Sequence, residues 1–314
     1  MEPVDFFTAS RVIIVAGKGG VGKTTVACTL GVAATRLGLS TLLVEVEGKR
    51  GLASVFAGEQ LSSADTVLIP ADDTSGRAAL AARTITADDA LLDYLADHGL
   101  GGFARRLSRM EVLETLATST PGLRDLIVLG KIKQLEREGA YDLILVDAPA
   151  SGHAVSFLRC ADALLDTVHT GPVFKQATDV AELLSDPDRC RVLLVTLPEE
   201  TPVNELVETA YLLEDTVGVK LGPAVVNCCY PELGDVDPAL VGPDLPDGVR
   251  AAAEFWSRRV ELQRTQLARL QDELPLEQLL LPYLFDAPID AADVELLADA
   301  LVDSVRLLDA TAVG

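Results

Sequence analysis

The sequence predicts an α/β fold in three layers, a mostly parallel sheet with helices on both faces and a further group of helices inserted near its middle. Three observations predict it. Short apolar runs bounded by turns alternate with helical patterns along most of the chain. The first run, Val12-Ile13-Ile14-Val15-Ala16, feeds a glycine-rich turn that opens directly into a helix. Two stretches, about 79–138 and 162–186, break the alternation and read as Leu- and Ala-rich helix upon helix.

In chain order, Arg11 to Ala16 is the first strand and Lys23 to Leu37 the first helix. Thr41 to Val46 is the second strand and Thr66 to Pro70 a short one. Segments Ala87–His98, Gly102–Arg109, Glu111–Ala117 and Pro121–Glu138 read as helices, as does Asp162–Ser185. These are expected to form a helical subdomain seated on the sheet, its apolar face serving as internal core or as a client groove. Leu143 to Val146, Arg191 to Leu197 and Lys220 to Asn227 are strands, each preceded by a helix, and Leu276 to Leu281 is the last. Gly234 to Val249, rich in proline and aspartate, reads as a loop. A long helix over 250–272 carries Trp256, read as packing, and an amphipathic helix over Ala291–Leu308 closes the chain. With 314 residues, enough for one large or two small domains, the whole of 1–314 is expected to be one domain.

Residues Gly17-Lys18-Gly19-Gly20-Val21-Gly22-Lys23-Thr24-Thr25 fit G-x-x-x-x-G-K-[ST]. Glycines let the backbone wrap a polyphosphate with successive N–H groups aimed at its oxygens. The following helix adds partial positive charge at its N-terminus. Lys23 is placed to reach the β and γ phosphates of ATP or ADP, and Thr24 to hold Mg²⁺. Gly17, Gly19 and Gly22 also satisfy G-x-G-x-x-G, with acidic Glu45 and Glu47 downstream as a dinucleotide fold expects. The pair Lys23-Thr24 decides for the phosphate loop, since a dinucleotide turn has no use for a lysine and a metal-binding hydroxyl there.

Tyr141 to Asp147 is an apolar strand ending in an acid, the arrangement in which an aspartate supports the Mg²⁺ bound to the β and γ oxygens. Its sequel, Ala148-Pro149-Ala150-Ser151-Gly152-His153, is a small-residue segment suited to a switch or to a plain strand-to-helix turn. Glu47, just past the second strand, is a candidate to orient attacking water, or else caps the next turn. Asn227, ending a late strand, has an amide that pairs with adenine's donor and acceptor.

Composition bounds the partners. There are 26 basic and 48 acidic residues, a net charge of −22, which argues against a broad grip on nucleic acid or anionic lipid. Arg105, Arg106 and Arg109 are the best candidate for a local basic patch, although a solvated helix face explains them. No apolar run reaches the ~18 residues of a membrane span. The five cysteines form no C-x-x-C, and Cys28 falls in the first helix as core. The start Met1-Glu2-Pro3-Val4-Asp5 lacks a basic secretory region, so a reducing, cytoplasmic location is expected.

Together these pieces resemble one family. The loop Gly17–Thr25 is similar to the deviant phosphate loop of the MinD-like ATPases. Asp147-Ala148-Pro149-Ala150-Ser151-Gly152-His153 resembles the second switch, Asp-Thr-Ala-Pro-Thr-Gly-His, of the arsenical-pump and tail-anchored-protein-targeting ATPases. Order and spacing also match at Pro121-Gly122, Asn227 and Leu279-Leu280-Leu281-Pro282. The resemblance implies a P-loop NTPase fold and an Mg²⁺-dependent ATPase that works as a dimer. Lys18 would match the signature lysine that reaches the partner's phosphates, an arginine finger performed by lysine. Lys23, Thr24 and Thr25 would match the phosphate and Mg²⁺ ligands, Asn227 the adenine reader, and Pro282 would flank the base.

Departures from the family narrow the function. Its first switch begins Asp-Pro-Ala, where this chain has Glu47-Gly48-Lys49, so hydrolysis is expected to be slow. The zinc C-x-x-C of the tail-anchored targeting members and an arsenite cysteine triad are absent from the sequence, and there are only two methionines, Met1 and Met110. The expectation is therefore a dimeric, nucleotide-driven switch that couples ATP to its helical subdomain, acting on an unknown protein client. It pairs with itself or with a paralogous subunit, without nucleic acid or stable membrane insertion. A regulatory subunit that hydrolyses little by itself, and a partition-type positioning ATPase, are the alternatives.

Overall fold

The computed structural model describes residues 1–46, 51–56, 58, 60–96, 122–149, 151–232, 246–285 and 288–308. Among them the strands are β1 (Val12–Gly17), β2 (Thr41–Val46), β3 (Thr66–Ile69), β4 (Leu80–Ile85), β5 (Leu143–Asp147), β6 (Cys190–Thr196), β7 (Ala224–Cys229) and β8 (Gln278–Pro282). They form one sheet in the order β3-β4-β2-β5-β1-β6-β7-β8. Only the β3–β4 pair is antiparallel; β3 is an edge strand. The helices are α1 (Pro3–Thr8), α2 (Lys23–Arg36), α3 (Gly51–Val55), α4 (Ala87–Leu95), α5 (Leu123–Glu138), α6 (Ser151–Leu165), α7 (Gly171–Ser185), α8 (Glu200–Val217), α9 (Asp247–Glu273) and α10 (Ala291–Leu307).

Each central strand is buried on both faces, which is why its sequence reads as a continuous apolar run. On β1, Val12, Ile14 and Ala16 face one core, packed with Phe157 of α6, Leu129 of α5 and Leu183 of α7. Ile13 and Val15 face the other, packed with Leu30 of α2, Leu301 of α10 and Phe6 and Phe7 of α1. The layers are thus helix, sheet, helix, and each fully buried Leu, Ile, Val or Phe contributes about 1.5–3 kcal/mol relative to exposure.

Leu80–Ile85 is a strand, not part of the helical run expected from residue 79. The segment Leu-Ala-Ala-Arg-Thr-Ile has no alternation because it is buried on both faces, and its Leu and Ala content imitates a helix. The helix-upon-helix stretch expected over 162–185 is α6, which already begins at Ser151, and α7, with the break at the turn before Gly171-Pro172. Helix α9 starts at Asp247, inside the expected loop, while the rest of that loop over 234–245 lies outside the described residues. So do the helices expected over 102–117 and Arg105, Arg106 and Arg109.

Helices α4, α5 and α7 line an open apolar cavity of about 210 Å³, whose lining includes Ala90, Tyr94, Leu126, Ile127 and Val173.

Candidate nucleotide site

The site is built at the carboxyl end of β1, which lies between β5 and β6. The crossover from β1 to β2 passes beyond β5, whereas β6 lies on the opposite side, so the connections diverge and leave a crevice there. Gly17 has φ +147°, and a Cβ on it would stand 2.4 Å from the Val195 carbonyl oxygen of β6. Only glycine lets the loop leave the strand at that spacing. Lys18, Gly19 and Gly20 are exposed at the tip, Val21 is buried, and Gly22 caps α2 in the left-handed region at φ +89°.

Lys23 folds back over this loop. Its Nζ donates to the Lys18 carbonyl at 3.0 Å, and the residue is 7% exposed. An ammonium held against the loop backbone is the ready partner of a polyphosphate. Thr24 follows, and its hydroxyl donates to Asp147 Oδ2 at 2.6 Å. Asp147 ends β5 fully buried, in register with Val15 of β1 and Glu45 of β2. A hydroxyl and a carboxylate oxygen, adjacent and hard, suit Mg²⁺. Thr25 sits partly exposed in the first turn of α2.

Glu45 is buried too, and its Oε1 accepts the Leu52 N–H at 3.2 Å at the start of α3. This carboxylate is committed to a helix cap, which removes it as the ribose ligand of a dinucleotide fold. Cys28, one turn past Thr24, is core as expected: burial first, and then Asp147 and Glu45, push its thiol far up. Glu47, Gly48 and Lys49 lie outside the described residues, as do Pro121 and Ala150. The chain beyond them returns to the site, since a Cβ on Gly51 would stand 2.8 Å from Thr24 Cγ2.

Asn227 is placed against the loop. Its Nδ2 donates to the Val21 carbonyl at 3.0 Å, and the side chain is 4% exposed. The register of β7 on β8 shifts between Val226 and Cys229, and Cys228 takes φ +59°, so this end of β7 is irregular. Pro282 pairs with Cys229 at the end of β8, and the Tyr283 N–H donates to the Cys229 carbonyl at 2.8 Å.

Next to the loop tip is a cavity of about 150 Å³, whose lining includes Gly20, Pro198, Cys228, Tyr230, Arg259 and Tyr283. Asn227 and Pro282 are not among its lining residues. The Tyr230 and Tyr283 rings stack at 5.0 Å and 10°, and Trp256 meets Tyr230 edge-on at 5.3 Å. Arg259 lies 5.7 Å over the Tyr230 ring and is held by Glu199 at 2.9 Å. Sequence reading took Trp256 as packing and did not pick out Tyr230 or Tyr283. The available signal was that Tyr230 and Tyr283 each directly follow a strand at its carboxyl end, where ligands of parallel sheets bind.

Lys18 points away from the loop's own cradle. Its Nζ makes a short ion pair with Glu205 of α8; the lysine side chain is 50% exposed and the glutamate 26%. Glu205 is a second residue that sequence reading missed.

Among the described residues no helix is long and apolar enough to cross a membrane. The family model described as anion-transporting ATPase matches residues 10–170. A putative ATPase of Mycobacterium bovis is 32% identical over 93% of this chain and 92% of its own length. A putative arsenical pump-driving ATPase of Halobacterium salinarum is 26% identical over 91% of this chain and 43% of its own. An ATPase GET3 of Podospora anserina is 29% identical over 49% of this chain and 44% of its own.

Proposed function

The chain belongs to the anion-transporting ATPase family, and on that premise we propose that it is an Mg²⁺-dependent dimeric switch driven by ATP binding and hydrolysis. It is an ATP hydrolase with the family's P-loop α/β fold. The observation that carries the proposal is the junction of Lys23, Thr24 and Asp147 at the carboxyl ends of two adjacent parallel strands.

The loop amides and Lys23 bind the phosphate chain. Thr24 and Asp147 are the residues to hold Mg²⁺, which when bound neutralises charge on the β and γ oxygens. Asn227 braces the loop from behind through Val21. The cavity beside Gly20 is close to the size of a purine base, and Tyr230 and Tyr283 offer it aromatic surface. Lys18, half-exposed and held by Glu205 in the single chain, is assigned to the partner's phosphates. Helices α4–α7 are the part whose position answers to the nucleotide, since α6 begins four residues after Asp147. Their client is a protein, docked on the apolar side of α4, α5 and α7, and the chain works in the cytoplasm.

Calorimetric titration with ATP and Mg²⁺ tests this. Micromolar binding that disappears in Lys23→Ala is the expected result; no heat in the wild type, or unchanged affinity in the variant, overturns the site. A second reading, a subunit that hydrolyses little alone, is favoured by Glu47-Gly48-Lys49 at the first switch. Turnover that appears only after a paralogous chain is added would select it.

A further inference from the structure

Lys18 is not idle in the single chain. Its neighbour Gly17 is pressed against the β6 backbone, and its own carbonyl accepts from Lys23 Nζ at 3.0 Å, so its main chain has little freedom. What can move is the side chain, and its ammonium is held by Glu205. Glu205 is itself well placed for this. It lies in the second turn of α8, the helix that leaves β6, and its main-chain carbonyl is tied to the Thr209 hydroxyl at 2.6 Å. Between the two side chains and β6 only a small void of about 10 Å³ remains, lined by Gly17, Lys18, Val195, Pro202, Glu205 and Leu206.

We propose that Glu205 is a positioning residue for Lys18: it parks the lysine on its own chain and must release it before the lysine can reach a second copy's phosphates. This rests on the dimeric reading of Lys18 given above. The physical basis is competition for one cation. In the lone chain the carboxylate is the nearest anion; in the ATP-bound dimer a triphosphate offers more charge. Each dimer breaks two such pairs, so the association constant carries the cost twice. A partly exposed ion pair changes an equilibrium by about two- to fivefold. Squared over two protomers, the effect is about 4- to 25-fold.

Sedimentation with Mg²⁺ and a non-hydrolysable ATP analogue, over a range of protein concentrations, reads this directly. Glu205→Gln should associate at about 4- to 25-fold lower concentration than the wild type, with nucleotide affinity per chain within about twofold. Adding Lys18→Ala to Glu205→Gln should cancel the gain, because the carboxylate acts only through that lysine. Glu205→Ala, sound in a helix, should behave as Glu205→Gln and serves if the latter folds poorly. An unchanged association curve for both Glu205 variants overturns the proposal. If Lys18→Ala still abolishes turnover in that case, the dimeric reading stands without it. No nucleotide-dependent association in any of the proteins overturns both.

Discussion

Gly22 and Asn227 are predicted to be energetically coupled across 205 residues of chain. Gly22→Ala does two things. It puts a side chain at φ +89°, a left-handed conformation that costs an L-residue about 1–2 kcal/mol. It also brings a Cβ to 2.2 Å from Asn227 Nδ2, so the amide must swing aside and release the Val21 carbonyl. Leaving that buried acceptor unpaired costs a further ~1–3 kcal/mol. The single substitution should therefore destabilise by about 2–5 kcal/mol. Asn227→Ala should cost about 1–3 kcal/mol by the same lost bond. In the double variant the bond is lost only once and the new methyl has room, so the sum of the singles overshoots by about 1–3 kcal/mol. Urea denaturation of the four proteins without nucleotide measures the cycle through midpoints and slopes. Additivity within about 0.5 kcal/mol would refute the reasoning, since residues that do not touch add to that accuracy.

Lys18→Ala should cut ATP turnover by roughly 10³-fold while stability changes by no more than about 1 kcal/mol, because its ion pair is half-exposed; steady-state phosphate release and a urea melt check the two halves. Burial and Asp65, whose Oδ2 accepts the phenol at 2.8 Å, raise the Tyr141 pKa to about 12. The folded protein therefore holds this proton more tightly than the unfolded one. Its contribution is complete below the ordinary pKa of 10.0 and fades as pH rises towards about 12. Tyr141→Phe should accordingly lose its stability deficit over that range, and a deficit independent of pH would contradict the hydrogen bond. Cys28, fully buried with its thiol pushed up beside two carboxylates, should resist a thiol reagent at about pH 8 until the protein unfolds; peptide mapping after native labelling reads this.

How much of this was legible beforehand varies with the kind of residue. The β1 strand, the loop and α2 were read almost to the residue, because strand, glycine turn and helix are contiguous and each has a local signature. Asp147 was legible for a similar reason, as the acid at the end of an apolar strand. β4 was not, since burial on both faces erases the alternation that marks a strand, and Ala-rich composition then speaks for a helix. The sequence singled out Glu47 as the candidate to orient water, although either Glu45 or Glu47 could cap the next turn. The structure commits Glu45 to the Leu52 N–H, and Glu47 lies outside the described residues.

The amino-acid order alone determined that a phosphate-binding turn sits between a buried strand and a helix, because its glycines, lysine and threonine act on bonds within nine residues. It determined a layered α/β fold by the same local logic of periodicity and breaks. Tertiary structure alone decided what presses on that turn. Asn227 lies 206 residues from Val21 and Glu205 lies 187 from Lys18. No local pattern ties such residues together. Only the strand order, which sets β6 beside β1 and β7 beyond it, brings the brace and the counter-charge to the loop.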